Sequence, residues 1–265
     1  MSSITTDHGI LHYEAYGRGR PVVLLHGWLG SWGLWQETMA FLGQTYRTYA
    51  LDFWGFGESG TKRDTYAVQD YVSLVYSFME QLGIMSAPLV GHSMGGTVSL
   101  AVAIQRPELA EKVVVVGSPI IGSSLSMLLK LFGIRPIGFV VHHNLWAFKL
   151  SYHLLARFYS SDPHWAAMMD RDISRTNLES FQASISSLRR TDLTPQLNQV
   201  KVPTMGMYGA RDIVVHPKQW KTLKDGVPQA RIEYFEKAGH FIMLDEPARF
   251  KETLKEFLDC VQTPQ

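Results

Sequence analysis

The segment Gly91-His-Ser-Met-Gly95 has a serine between two glycines in the pattern G-x-S-x-G. It follows the apolar run Pro88-Leu-Val90 and opens a helical pattern that begins at Met94, so the serine is expected in a strand-to-helix turn. Such a turn strains the serine backbone, and glycines two positions before and after it leave room for the turn. The free N–H groups of the helix N-terminus stabilise negative charge nearby. We therefore predict that Ser93 is a nucleophile.

A serine hydroxyl is a weak nucleophile unless a base accepts its proton, and the base must itself be oriented by an acid. His240 and Asp212 are the candidates for these two roles. His240 lies in a loop between a strand near Tyr234 and the last helix, and Asp212 lies in a loop after a strand that ends near Tyr208. Sheets of this kind have their sites at the carboxyl ends of the strands, where both loops lie. The sequence thus predicts a catalytic triad of Ser93, Asp212 and His240.

The other histidines have simpler interpretations. His92 neighbours the serine and cannot easily fold back onto its hydroxyl, so we interpret it as a packed residue of the turn. His142 and His143 have no flanking acidic or cysteine partners, which disfavours a metal site. His216 precedes Pro217 at the start of a helical segment, where it would cap the helix at the surface. We therefore predict no metal in this protein.

Acidic residues other than Asp212 are weaker candidates for the orienting acid. Asp245 and Glu246 precede Pro247 and have the positions of helix-start acids that complement the helix dipole. Asp192 is the one serious alternative, and we rank it below Asp212.

Short apolar runs alternate along the chain with helical patterns. Continuous runs of this length are typical of strands buried on both faces of a sheet. They lie at residues 22–25, 47–51, 88–90, 113–116, 202–207 and 232–235. The alternation predicts an α/β fold with a mostly parallel central sheet and helices on both faces. The segment Gly9–Tyr16 is predicted to add an antiparallel edge strand.

Three helices are predicted from the spacing of apolar residues. Residues 68–82 follow the i, i+3, i+4, i+7 pattern of an amphipathic helix. A second helix begins at Met94 and is stopped by Pro107. A third follows Pro247, which suits a first helical turn, and its last apolar position is Val261.

The segment from 119 to 193 has helical apolar patterns and no convincing strand. We predict that it is a helical cap, inserted into a core formed by residues 1–118 and 194–265. The first half of this segment, from Leu125 to Phe158, is unusually apolar. These residues could pack against the core or could roof an apolar pocket, since ligand pockets are mostly apolar and favour junctions between substructures.

The composition limits the classes of function. The chain has 265 residues and a net charge of +1, so no strong field of one sign is expected to hold nucleic acid or an anionic membrane. The single cysteine, Cys260, cannot form an internal disulfide and offers no metal cluster or thiol catalyst. The sequence has neither a secretory signal at its start nor the run of about 18 apolar residues that a membrane span needs. We expect a cytoplasmic protein.

Together these residues resemble the α/β-hydrolase superfamily, and specifically its capped, serine esterase-like branch. The similarity includes the chain order Ser93, Asp212, His240. It also includes His26-Gly-Trp28 after a buried strand, and Asp52-Phe-Trp-Gly-Phe-Gly-Glu-Ser59, which resembles the D-x-x-G-x-G-x-S loop of the superfamily. The resemblance covers nearly the whole chain outside the insertion and implies an α/β-hydrolase fold.

The resemblance implies an oxyanion hole formed by the backbone N–H groups of Trp28 and Met94. The single glycine before Trp28, Gly27, resembles the simpler type of oxyanion loop. By the same resemblance His26 braces this loop and is not a catalyst. Four tryptophans near this edge are interpreted as core residues, with an aromatic wall of the pocket as the alternative: Trp28, Trp32, Trp35 and Trp54.

The resemblance also separates reaction types. Dehalogenases and epoxide hydrolases of the superfamily carry an aspartate where this chain has Ser93, which argues against both. Members that bind peroxide commonly have proline after the oxyanion-loop residue. This chain has Leu29 there, which disfavours peroxide chemistry.

We expect a carboxylic-ester hydrolase that acts on short to medium acyl chains through an acyl-enzyme, with a small-molecule ester as its partner and no cofactor. The same triad could instead cleave a C–C bond, a lactone or an amide. Cleavage of a dianionic C–C substrate usually needs basic pocket groups, and five arginines lie in or next to the insertion: Arg157, Arg171, Arg175, Arg189 and Arg190. A third alternative is a small-molecule receptor with slow hydrolysis. Monomer and dimer are both left open.

Overall fold

The computed structural model describes residues 2–6, 9–60 and 66–260. Eight strands form one sheet in the order β1-β2-β4-β3-β5-β6-β7-β8. Their bounds are β1 Ser2–Thr6, β2 Gly9–Gly17, β3 Arg20–Leu25, β4 Tyr46–Leu51, β5 Ala87–His92, β6 Ala110–Val116, β7 Thr204–Gly209 and β8 Arg231–Phe235. Strands β3 to β8 run parallel to one another, whereas β1 and β2 are antiparallel to their neighbours. The predicted mostly parallel sheet is confirmed.

The prediction of Gly9–Tyr16 as an edge strand was wrong in its position. The segment is an antiparallel strand, β2, but β1 covers its outer side, with Ser2 opposite Tyr13. The edge strand β1 is five residues long, and its first four residues alternate between half-buried and exposed. Such a short polar strand has no continuous apolar run that sequence analysis could detect.

Twelve α-helices accompany the described strands. They are α1 Gln36–Leu42, α2 Val68–Gln81, α3 Met94–Gln105, α4 Met127–Phe132, α5 Arg135–His143, α6 Leu145–Leu154, α7 Ala156–Tyr159, α8 Trp165–Ile173, α9 Leu178–Arg190, α10 Gln219–Gly226, α11 Ile242–Asp245 and α12 Pro247–Asp259. The three predicted helices correspond to α2, α3 and α12. The predicted last apolar position of the third helix, Val261, lies outside the described residues.

The strand order reverses direction at β3, and this fixes the faces that the helices cover. The chain moves from β3 to β4 in one direction and then crosses back over β3 to β5, continuing through β6, β7 and β8. Right-handed crossovers therefore put α1 on one face and α2, α3 and α10 on the other. Helix α12 packs on α1, and α2 packs on α3. In such sheets the ligand site lies beyond the carboxyl ends of the strands at the point of reversal.

The described residues between β6 and β7 form no strand: they include α4 to α9 and take part in only two isolated bridges, Ile121–Asp192 and Leu125–Val215. These helices pack mainly on one another, with α9 in contact with α4, α5 and α2. We retain the proposed division into a cap of residues 119–193 and a core of residues 1–118 and 194–265. Within the described ranges, no helix is both long enough and apolar enough to cross a membrane.

Candidate active site

Ser93 lies in the turn between β5 and α3, as the G-x-S-x-G pattern predicts. Its backbone has φ 51° and ψ −118°, a left-handed conformation that non-glycine residues rarely adopt. A Cβ atom on Gly91 would lie 2.2 Å from the carbonyl of Gly95, so only glycine fits there. The N–H of Ser93 donates to the carbonyl of Val116 at 2.8 Å and fixes the turn to β6. The strain is thus held in place by packing around the turn.

His240 and Asp212 form a buried pair. Nδ1–H of His240 donates to Oδ2 of Asp212 at 2.8 Å. The other oxygen of Asp212, Oδ1, accepts from the N–H groups of Val214 at 2.8 Å and Val215 at 2.9 Å. These backbone donors hold the carboxylate, and the carboxylate in turn fixes the tautomer of the imidazole. Nε2 of His240 is therefore the ring nitrogen left free to accept a proton.

Ser93 and His240 line the same cavity of about 290 Å³, which lies between the sheet edge and the cap. Most of its wall is apolar, and no Asp, Glu, Lys or Arg is among the described residues that line it. The cap contributes much of this wall: Leu125, Leu128, Leu129, Phe132, Phe148, Tyr152, Tyr159, Trp165, Met169, Ile185 and Leu188. The alternative that the apolar half of the insertion roofs a pocket therefore agrees with the structure.

The loop that follows β3 lies beside Ser93. A Cβ atom on Gly27 would lie 3.0 Å from Cβ of Ser93, and both Trp28 and Leu29 line the cavity. The N–H of Gly30 donates to the carbonyl of Gly27 at 3.1 Å, and Leu29 has φ 60°, which defines a tight turn. On the other side of Ser93, Met94 is the first residue of α3, and a first helical residue has no partner for its N–H within the helix.

His26 joins this loop to the next one. Its Nδ1–H donates to the carbonyl of Gly27 at 2.7 Å, and its Nε2 accepts from the N–H of Phe53 at 2.9 Å. Both ring nitrogens are occupied, and the side chain is fully buried. Burial lowers the pKa of His26, which favours this neutral tautomer. These contacts agree with a bracing role for His26.

The Asp52 motif organises the adjacent loop. Oδ1 of Asp52 accepts from the N–H of Trp32 at 2.6 Å, and Oδ2 accepts from the N–H of Glu58 at 2.9 Å and from Nδ1 of His12 at 2.8 Å. The hydroxyl of Ser59 donates to the carbonyl of Asp52 at 2.7 Å. Burial would lower the pKa of His12, but Asp52 and two glutamates outweigh it and raise that pKa.

His92 contacts the main chain of the candidate base. Its Nε2–H donates to the carbonyl of His240 at 3.1 Å, and the centroids of the two rings are 4.7 Å apart. Burial, and then the neighbouring His240, lower the pKa of His92 well below its ordinary value. The interpretation of His92 as a packed residue of the turn agrees with these contacts.

Asp245 was predicted to be a helix-start acid, and this prediction was wrong. Its Oδ2 accepts from the N–H of Gly239 at 2.7 Å, next to His240. Its Oδ1 accepts from the N–H of Ser161 at 2.7 Å and from the hydroxyl of Ser160 at 2.8 Å, at the end of α7. The carboxylate therefore ties the histidine loop to the cap. Sequence analysis missed this role because the partners in the cap, Ser160 and Ser161, are 85 and 84 positions away along the chain.

The alternative acid and the other histidines have partners that are not among the described residues lining the cavity. Oδ1 of Asp192 accepts from the N–H of Thr194 at 2.9 Å, whereas the imidazole of His240 donates to Asp212. His142 contacts the carbonyl of Thr176, and His143 contacts that of Phe139 within its own helix. His216 accepts from the N–H of Lys218, ahead of α10. In the described part of the chain, no group of three His, Cys, Asp or Glu side chains could hold a metal ion.

The arginines near the insertion do not line the described part of the cavity. None of the five arginines considered for a dianionic substrate is among the described lining residues of the cavity. Arg171 pairs with Asp172, and Arg175 pairs with Glu58.

Of the four tryptophans near the sheet edge, only Trp28 is among the described residues that line the cavity, whereas Trp35 and Trp54 are buried in the core. Trp28 donates from its indole N–H to the carbonyl of Phe181 at 3.1 Å.

Comparison with known proteins gives consistent matches. The family described as "alpha/beta hydrolase fold" matches residues 20–247. An uncharacterized hydrolase of Bacillus subtilis (strain 168), YugF, is 29% identical over 258 residues, which is 93% of this chain and 92% of the relative. The crystal structure of an enol-lactonase from Burkholderia xenovorans LB400 has a TM-score of 0.85 at 22% identity and covers 97% of this chain and 99% of its own. An esterase from Exiguobacterium antarcticum, EaEST, has a TM-score of 0.83 at 22% identity over 98% and 99% of the two chains.

Proposed function

This chain belongs to the alpha/beta hydrolase fold family, and we propose that it is a serine hydrolase of uncharged, apolar carboxylic esters with short to medium acyl chains. One observation carries the proposal. Ser93 and His240 line a single apolar cavity, and Nδ1–H of His240 is held by Asp212 at 2.8 Å. A hydroxyl, an imidazole and a carboxylate in this order are the groups that nucleophilic acyl transfer needs.

In the proposed acylation step, Nε2 of His240 accepts the proton of the Ser93 hydroxyl as the oxygen attacks the ester carbonyl. The carbonyl oxygen then becomes an oxyanion, which accepts hydrogen bonds from the backbone N–H groups of Trp28 and Met94. Asp212 stabilises the imidazolium and keeps Nε2 directed at the reacting atoms. His240 returns the proton to the leaving alcohol, and the acyl group stays on Ser93.

Deacylation repeats these roles with water. Nε2 of His240 takes a proton from a water molecule, the hydroxide attacks the acyl carbon, and the same two N–H groups stabilise the second oxyanion. The Ser93 oxygen then receives the proton from His240 and the carboxylic acid is released. Every proton transfer uses a residue of this chain.

The cavity supports an uncharged and fairly small substrate. Its described walls carry no lysine or arginine to pair with an acidic substrate and no carboxylate to pair with a basic one. Burial of an unpaired charge would be costly, so charged acyl groups are disfavoured. Its volume of about 290 Å³ lies just below the range of about 300–1,000 Å³ that is typical of ligand pockets. Both features favour short to medium acyl chains.

The proposal is tested with p-nitrophenyl esters from acetate to dodecanoate, together with Ser93→Ala. We expect kcat/KM to pass through a maximum at an intermediate chain length and to fall by at least about 10³-fold in the variant. An activated ester should also give a burst of p-nitrophenol equal to the enzyme concentration. Full activity of Ser93→Ala would exclude the mechanism. A burst without subsequent turnover would instead support the receptor alternative.

The same panel separates ester cleavage from cleavage of other bonds. A lactone, an anilide and a vinylogous diketone are added at matched concentrations. The absence of cationic side chains among the described cavity residues argues against a dianionic C–C substrate. A kcat/KM for the diketone above that of every ester would replace the proposed substrate class while leaving the triad in place.

A further inference from the structure

The outer surface of the cap is strongly apolar. Sixteen large hydrophobic residues are exposed among the described residues, and eleven of them lie between positions 127 and 158, in or beside α4 to α7. They are Met127, Leu128, Leu131, Ile134, Phe139, Val140, Trp146, Leu150, Leu154, Leu155 and Phe158. We call the exposed surface of residues 127–158 the cap face. Concentrated apolar exposure of this kind marks an interaction surface.

Helix α6 shows how the apolar residues are arranged. Trp146, Leu150 and Leu154 are spaced four residues apart and are 70%, 53% and 73% exposed, so they form one stripe directed to solvent. Phe148 and Tyr152 on the same helix line the cavity. The helix therefore has an apolar side for the cavity and a second apolar side for which the described fold supplies no cover.

The charge of the cap face is also one-sided. Residues 127–158 contain four Lys and Arg residues, Lys130, Arg135, Lys149 and Arg157, and no Asp or Glu, whereas the whole chain has a net charge of only +1. The guanidinium of Arg157 lies 5.2 Å from the ring centroid of the exposed Phe158, so a cation and an aromatic ring lie next to each other on the cap face. Lys149 is 3.6 Å from Asp170 of α8, which partly neutralises it. The low net charge of the chain hides this local excess of cations.

We propose that the cap face docks reversibly on the surface of a lipid bilayer that contains anionic phospholipids. Exposed Trp, Phe and Leu side chains insert at the boundary between headgroups and acyl chains, and neighbouring Lys and Arg attract the anionic headgroups. The apolar stripe and the basic residues of the cap face supply both parts. An interaction of this type requires no membrane-spanning helix.

Docking of this kind would place the mouth of the cavity at the surface of the bilayer. Leu128 and Ile213 are exposed and also line the cavity, so the apolar surface continues into its mouth. If the proposed ester hydrolysis is correct, an apolar ester dissolved in the bilayer reaches Ser93 without crossing water. This part rests on the proposed function, whereas bilayer docking itself does not.

Charge argues against a second copy of the chain as the occupant. A symmetric dimer through the cap face would bring the same four basic residues of each copy together, with no acidic residue in residues 127–158 to pair with them. Like charges at an interface disfavour association. An anionic bilayer offers the opposite charge.

The test is sedimentation of the full chain with sucrose-loaded phosphatidylcholine vesicles, with and without phosphatidylserine. We expect binding to the anionic vesicles that weakens as salt is raised, because salt screens the headgroup attraction. The double variant Trp146→Gln/Leu154→Gln should bind at least about tenfold more weakly. Met85→Gln is the matched control, because Met85 is 84% exposed outside the cap face, and it should bind like the unmodified protein.

Two further measurements keep docking and catalysis separate. Ser93→Ala should bind vesicles normally, and the double variant should keep its activity on water-soluble p-nitrophenyl acetate. Analytical ultracentrifugation without vesicles is run on the same samples. The proposal is overturned if the unmodified chain does not sediment with anionic vesicles, if the double variant binds as well as Met85→Gln, or if the unmodified chain is a dimer that the double variant converts to a monomer.

Discussion

The carboxylate of Asp245 accepts a hydrogen bond of 2.7 Å from the backbone N–H of Gly239, the residue before His240. The second oxygen of the same carboxylate holds Ser160 and Ser161 at the end of α7. The position of the proposed general base is therefore coupled to the position of the cap. A second contact, from Nε2–H of His92 to the carbonyl of His240 at 3.1 Å, also holds this loop.

Asp245→Ala is expected to lower kcat about tenfold or more with a smaller change in KM. A small displacement of a catalytic group is costly because the reacting atoms must be aligned in the transition state. The measurement is the kinetics of p-nitrophenyl butyrate hydrolysis, with burst amplitude as a count of intact sites. Asp192→Ala is the matched control, because this carboxylate also accepts a backbone N–H, from Thr194, whereas that of Asp245 accepts from the loop of His240. Equal kcat losses in both variants would exclude a specific positioning role for Asp245.

The choice between the two acids that sequence analysis considered is tested by amide substitution. Asp212→Asn should lower kcat by about 10²–10⁴-fold, because the amide favours the wrong imidazole tautomer. Asp192→Asn should leave kcat within about twofold of the unmodified protein, as expected for a surface substitution away from the site. Circular dichroism confirms that both variants are folded. A large kcat loss in Asp192→Asn alone would reverse the assignment.

Sequence analysis could predict the sheet and the three principal site candidates because each depends on a local pattern. Buried parallel strands have continuous apolar runs, and Ser93, Asp212 and His240 each follow such a strand. The parallel order then brings their loops to one edge of the sheet. The strained backbone of Ser93 could also be predicted, because glycines two positions before and after a serine leave room for a strained strand-to-helix turn.

The remaining features depend on tertiary contacts and have no local pattern. Asp245 contacts Ser160 across 85 positions of the chain, so its place before Pro247 suggested only a helix start. The apolar residues from Leu125 to Phe158 were expected to pack against the core or to roof a pocket, but their pattern cannot show that Trp146 faces solvent while Phe148 faces the cavity. When both sides of a helix are apolar, periodicity does not distinguish inside from outside.

The two histidines with opposite pKa shifts predict opposite effects of pH on stability. Burial lowers the pKa of His92 below 6.5, so its contribution to stability is complete above that pH and is lost as the pH falls towards its folded pKa. The pKa of His12 is raised above 6.5, because Asp52, Glu58 and Glu14 outweigh burial. Its contribution is complete below pH 6.5 and is lost as the pH rises through its folded pKa.

Urea unfolding of the unmodified chain, His92→Gln and His12→Gln between about pH 5.5 and about pH 7.5 checks these signs. The stability advantage of the unmodified chain over His92→Gln should shrink as the pH falls. Its advantage over His12→Gln should grow over the same interval. Parallel pH profiles for all three proteins would show that neither histidine changes its protonation in the predicted direction.

Lys112 is a buried lysine whose ammonium group caps the last described helix. Its Nζ donates to the carbonyls of Phe257 at 2.9 Å, Leu258 at 2.7 Å and Cys260 at 2.7 Å, which lie at the C-terminal end of α12. Burial lowers its pKa, but the cation suits a helix C-terminus, where the unpaired carbonyls carry partial negative charge. The side chain thereby fastens α12 to β6.

Lys112→Met keeps the aliphatic part of the side chain and leaves these carbonyls without their donor. The free energy of unfolding should fall by about 1–3 kcal/mol, the usual cost of leaving buried polar groups unpaired. Thermal or urea unfolding measures the loss. Lys255→Met, in α12, serves as the control. Lys255 is half-buried and its partner Asp259 is exposed, and ion pairs accessible to water contribute at most about 1 kcal/mol. A smaller loss for Lys112→Met than for this control would contradict the capping role.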